Sequence, residues 1–132
     1  MKKLFLVLPV VIILAACATA PEVVDGAGGL EQRVAERWSL LVKGKVAEAY
    51  GFLSPAAREI TSLEKYQGSL KPGMWREAKV GKSVCASEDV CTVEVHVSYS
   101  YKPKGLPVYE GVRTLPETWR KDAGQWWYVP DL

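Results

Sequence analysis

An α+β domain, with N-terminal helices packed on a curved antiparallel sheet of about four strands, is the fold class this 132-residue chain predicts. Two observations carry it. Apolar residues recur at helical spacing as far as about residue 67, and after Lys71-Pro72-Gly73 the period falls to two. Helices first and hairpin-joined strands afterwards leave one face of the sheet for the helices to cover.

Leu30, Val34, Trp38 and Leu41 form the stripe of an amphipathic helix over 30–43, with Glu31, Arg33, Glu36 and Arg37 assigned to its other faces and Gly44 to its end. Val46, Ala49, Tyr50 and Leu53 repeat the pattern in a shorter helix that Gly51 and Ser54-Pro55 bring to an end. Ser54 with Pro55 behind it reads as an N-cap, opening a turn through about Glu59. Thr61 and Glu64 have capping-box spacing for a last helix near 62–67. Farther on, Cys91, Val93, Val95, Val97, Tyr99 and Tyr101 alternate with Thr92, Glu94, His96, Ser98 and Ser100, the pattern of a long strand with one buried face. Ala78, Val80 and Val84 suggest its hairpin partner, with a bulge at Gly81 shifting the phase before Cys85. Residues 102–107 form a loop, 108–121 a strand interrupted or bent around Pro116, and Asp122-Ala123-Gly124-Gln125 the turn into a strand at 126–129.

The N-terminus has a different character. Lys2 and Lys3 precede an apolar stretch from Leu4 to Leu14, followed by small residues up to Cys17. Leu14-Ala15-Ala16-Cys17 resembles the lipobox of bacterial lipoproteins, which implies cleavage after residue 16 and lipidation of Cys17. A membrane span needs about 20 apolar residues, more than this stretch offers. An ordinary cleavage site at Ala18-Thr19-Ala20 is disfavoured by the Pro21 that follows. The expected organisation is therefore a signal peptide at 1–16, a lipidated and Gly/Pro-rich tether at 17–29, and one α+β domain at 30–132. Ala18 stands where an Asp would hold such a lipoprotein in the inner membrane, so in a cell with two membranes the resemblance points to the outer one, with the domain facing the periplasm. Without Lys2 and Lys3 the 17 basic residues become 15, matching the 15 carboxylates. A neutral domain gives no electrostatic reason to bind nucleic acid.

Three cysteines in an exported chain leave one over, and lipidation of Cys17 accounts for it. Cys85 and Cys91 then form a disulfide across a hairpin. A loop this short contributes only about 2.4 kcal/mol, so the bridge would pin a hairpin rather than hold up the fold. Two thiols and the distant His96 fall short of a zinc ligand set, so no metal is expected.

The order of Trp38, Gly44, Ala49-Tyr50 and Leu53-Ser54-Pro55, then long strands, Trp119 and Gly124-Gln125-Trp126-Trp127, resembles the nuclear transport factor 2-like, cystatin-like cone fold over residues 30 to 130. The resemblance implies a cone-shaped domain, in a superfamily whose enzymes move protons with an Asp or an Asp/His pair inside the cone. The inward row from Cys91 to Tyr101 contains no such group, and His96 alternates outward with Glu94. Glu77, Glu110, Glu117 and Asp122 read as solvated edge residues, and no phosphate loop, nucleophile elbow or zinc-helix motif occurs.

The aromatics remain. Trp38, Tyr50 and Trp119 fall on apolar stripes and belong in a core, whereas consecutive Trp126 and Trp127 cannot both face inward. The candidate contact residues are thus Trp75, Tyr109, Trp126 and Trp127. The expected function is a membrane-anchored envelope lipoprotein with a non-catalytic binding or scaffold domain for a protein partner or an apolar small molecule. It is expected to use no cofactor, and a homodimer through the sheet face stays open. The alternative is a small cone-fold enzyme of the polyketide cyclase or isomerase kind.

Overall fold

The computed structural model of the chain describes residues 28–131. The expected signal peptide at 1–16, Cys17 and residues 18–27 of the expected tether lie outside the described residues. Helix α1 (Leu30–Val42) carries Leu30, Val34, Trp38 and Leu41 on its buried side, as the spacing predicts. It stops at Gly44, whose φ of 75° suits glycine. There Lys45 N–H reaches Leu40 O and Gly44 N–H reaches Leu41 O, the paired bonds of a Schellman end. Helix α2 (Val46–Tyr50) follows directly. Helix α3 (Pro55–Ile60) opens on Ser54, whose hydroxyl accepts the Ala57 N–H at 3.2 Å. Helix α4 (Leu63–Ser69) corrects the cap expectation by one residue: Ser62, not Thr61, is the N-cap, and its hydroxyl accepts the Lys65 N–H.

Four strands follow, β1 (Trp75–Ser87), β2 (Val90–Tyr101), β3 (Tyr109–Asp122) and β4 (Gln125–Val129), paired antiparallel in sequence order. Cys91, Val93, Val95 and Val97 are fully buried, and the polar residues between them are exposed. On β1 the register slips between Val80 and Ser83, around Gly81. That slip puts Ser83 and Cys85 opposite Val93 and Cys91, on the face that carries the core row, and turns Val84 out to solvent. Pro116 does not interrupt β3, whose ladder with β2 runs unbroken from Tyr109 to Arg120. The physical reason lies on the other flank. β4 pairs only with Thr118 to Asp122, so Pro116 is locally at an edge, where a missing N–H is tolerated.

Helices and sheet join at two places. Tyr128 N–H donates to Phe52 O, and Ser54 N–H donates to Tyr128 O, so the segment after α2 lies as a short parallel bridge along β4 with Leu53 fully buried. The stripe of α1 packs with Val46, Ala49 and Leu53 against the valine row, Trp119 and Trp126 to form the core. No helix among the described residues is long and apolar enough to cross a membrane.

Candidate functional site

The interior contains a charged centre that contradicts two sequence expectations. Arg37 is only 2% exposed and Glu117 only 5% exposed, although the first was assigned to an outer helix face and the second to a solvated edge. Sequence spacing holds the reason. Arg37 is seven residues beyond Leu30 and three beyond Val34, which puts it on the buried stripe of α1. Glu117 is two residues before Trp119 and directly opposite Val93, which puts it on the buried face of β3.

Arg37 Nη1 and Glu117 Oε1 are 2.6 Å apart. The same carboxylate accepts the indole N–H of Trp38 on Oε1 at 2.9 Å and that of Trp119 on Oε2 at 3.1 Å. Arg37 Nη2 donates to the Tyr66 hydroxyl at 3.0 Å, and the guanidinium lies 3.8 Å from the centre of the Tyr128 ring. Burial opposes the charge on Arg37, but Glu117, Tyr66 and Tyr128 outweigh it and raise its pKa above the ordinary value. Burial also pushes the Tyr128 phenol up to about 12. A carboxylate that accepts three N–H bonds has little capacity left to take a proton from a substrate.

The sheet bridges Cys85 and Cys91, which are direct cross-strand partners. His96 and Glu94 face away from the helices, and the His96 ring is hydrogen-bonded to the Thr114 hydroxyl at 2.9 Å. Among the described residues no three His, Cys, Asp or Glu side chains cluster as metal ligands.

Of the four candidate aromatics, two meet. At the end of the sheet where β2 and β3 run past the helices, Tyr101 and Tyr109 are cross-strand partners and Tyr99 stands opposite Gly111. The Tyr99 ring fills the space a side chain at Gly111 would take, since a Cβ there would fall 2.8 Å from the Tyr99 hydroxyl. Trp75 and Met74 from the start of β1, and Ser69, Leu70 and Lys71 from the end of α4, complete a recess of about 340 Å³ together with Arg113. Trp75 packs edge-on against Trp38, and its buried indole N–H has no hydrogen-bond partner among the described residues. Trp126 is buried instead, with its N–H on the Gly28 carbonyl. Trp127 lies on the opposite side of β4, half-buried beside α3. It lines a second recess of about 390 Å³ with Ser54, Pro55, Ile60, Arg120, Asp122 and Val129. Trp75 and Tyr109 stand out singly in the sequence, but Tyr99 and Arg113 join them only through strand register, and Lys71 only through the path of the chain from α4 to β1.

No family model matches the chain, and no curated protein matches it. Among solved structures it is similar to the solution structure of a SEC-C motif-containing protein from Rhodopseudomonas palustris, with a TM-score of 0.57 and 17% sequence identity. The match covers 80% of this chain and 87% of that one. At that identity the likeness concerns the fold alone, an α+β domain with four antiparallel strands.

Proposed function

We propose that this chain is a lipid-anchored envelope protein whose domain, built like the nuclear transport factor 2-like cone, binds a small apolar molecule without transforming it. One observation carries the reading: Trp75, Tyr99, Tyr101 and Tyr109 converge on a single recess on the helix-bearing side of the sheet. A concave, aromatic-lined site of a few hundred Å³ is the usual form of a small-molecule pocket. What favours binding over proton transfer is the state of Glu117. It is held by Arg37, Trp38 and Trp119 and is not among the residues lining either recess.

The anchor half of the proposal rests on Leu14-Ala15-Ala16-Cys17. Gly28, through which a tether from Cys17 would enter the domain, lies beside Trp126, near the end of the sheet where β1 turns into β2. The recess opens at the other end, about 30 Å away along β2 at ordinary strand rise. An attachment at Gly28 therefore enters the domain away from the recess.

Equilibrium dialysis of the full chain against naphthalene-2-carboxamide, an uncharged two-ring probe, tests the binding half. Saturable binding with one probe per chain is expected, weakened at least about fivefold by Tyr109→Ala, the scale of one lost aromatic contact. No saturable binding, or binding indifferent to Tyr109, overturns it.

A further inference from the structure

We infer that the recess formed by Trp75, Tyr99, Tyr101 and Tyr109 is selective for a flat apolar molecule bearing a carboxylate, with Lys71 and Arg113 as its anion-binding pair. The inference rests on the binding reading above and specifies its ligand. Two cations and no carboxylate line this recess. The second recess, by contrast, balances Arg120 with Asp122 and offers an anion no net attraction.

Neither Lys71 nor Arg113 has an ion-pair partner among the described residues. Glu110, close to the recess along β3, does not supply one. It is paired with Ser100 on the outer face of the sheet, where it accepts the Ser100 hydroxyl at 3.3 Å. Arg113 shares the helix-bearing face with Leu115 and Glu117, opposite Val97, so its guanidinium is on the recess side of β3. Lys71 Nζ lies 5.4 Å from the centre of the Tyr101 ring, which holds an ammonium beside the aromatic floor.

The two halves of the site are therefore complementary to one kind of molecule. Tyrosine rings take a planar apolar body at little cost in side-chain entropy. A guanidinium fork and an ammonium at the rim take a carboxylate through charge-assisted hydrogen bonds, strengthened by the low-dielectric wall on one side.

The test compares two probes of nearly the same shape on the full chain by equilibrium dialysis near neutral pH: naphthalene-2-carboxylate and naphthalene-2-carboxamide. The carboxylate is expected to bind at least about tenfold more tightly, the scale of one charge-assisted contact. The double variant Lys71→Gln/Arg113→Gln should bring the two affinities to within about twofold, with its urea-unfolding midpoint reporting that the variant is folded. Equal affinities for the wild-type chain would overturn the anion selectivity and leave the apolar binding standing. A preference that survives the double variant would place the anion elsewhere and overturn the assignment of Lys71 and Arg113. Binding of neither probe would end both this inference and the function it rests on.

Discussion

Arg37 on the first helix and Glu117 on the third strand, 80 residues apart in sequence, form a buried ion pair that fastens the helical layer to the sheet. Trp38 and Trp119 donate to the same carboxylate from either side, so the charge is surrounded by matched donors rather than by apolar wall. Such a centre fixes helix position more than it adds free energy, because desolvating both ions offsets much of their attraction.

Removing one ion should therefore cost far more than removing both. Glu117→Ala leaves a buried guanidinium without its counter-ion and two indole N–H groups without an acceptor, and urea unfolding should show a loss of about 3–5 kcal/mol. The double variant Arg37→Met/Glu117→Leu should lose at least about 1 kcal/mol less than that single change.

Alkaline stability follows from Tyr128. Burial raises its phenol from 10.0 to about 12, so the folded state holds this proton more tightly than the unfolded chain does. The resulting stability is complete below the unfolded pKa and is lost as pH rises through the folded one. Between pH 9 and 11.5 the unfolding free energy of the wild type should fall by about 2 kcal/mol more than that of Tyr128→Phe. Parallel pH profiles for the two proteins would refute the shift.

Strand phase predicts a contrast between neighbours. Val95 is fully buried and His96 is exposed, so Val95→Ala should cost about 1–3 kcal/mol and His96→Ala at most about 0.5 kcal/mol. Paired denaturation midpoints check it, and reversed magnitudes would mean that the buried face has been misassigned.

The β3–β4 turn holds a stabilising substitution. Ala123 has a φ of 48° and Gly124 a φ of 76°, and Asp122 pairs with Gln125, so both central residues lie in the left-handed region that a type I′ hairpin demands. Alanine is a poor occupant of that region. Ala123→Asn should raise stability by about 0.5–1 kcal/mol in urea unfolding.

Much of this was legible in the sequence, and what was not has a common cause. The stripe of α1, the valine row of β2, the bulge at Gly81 and the bridging of Cys85 to Cys91 all depend on residues close together in the chain. Arg37 and Glu117 were also within reach, because each shares the spacing of apolar residues already placed inside. Their charge masks that phase, since a buried ion is uncommon without a buried partner. The recess was not legible. It depends on which residue of β3 falls opposite Tyr99 and Tyr101 and on where the end of α4 passes the start of β1, and no local spacing encodes either.

The anchor has its own test. Cells fed a clickable fatty acid should label the wild-type chain and leave Cys17→Ser unlabelled. Persistent labelling of the variant would remove Cys17 as the lipidated residue.

The central claim, that the aromatic recess is where this domain binds its ligand, is tested most directly by the five indole N–H signals in a nitrogen-15 NMR spectrum of the full chain. Those of Trp38 and Trp119 are held by Glu117, and that of Trp126 by the Gly28 carbonyl. Trp75 lines the aromatic recess and Trp127 the second one, so the five signals separate the two sites. On addition of naphthalene-2-carboxylate the Trp75 signal should move progressively to saturation while that of Trp127 stays in place. Movement of Trp127 with Trp75 unchanged would contradict the account and transfer the binding site to the recess beside α3.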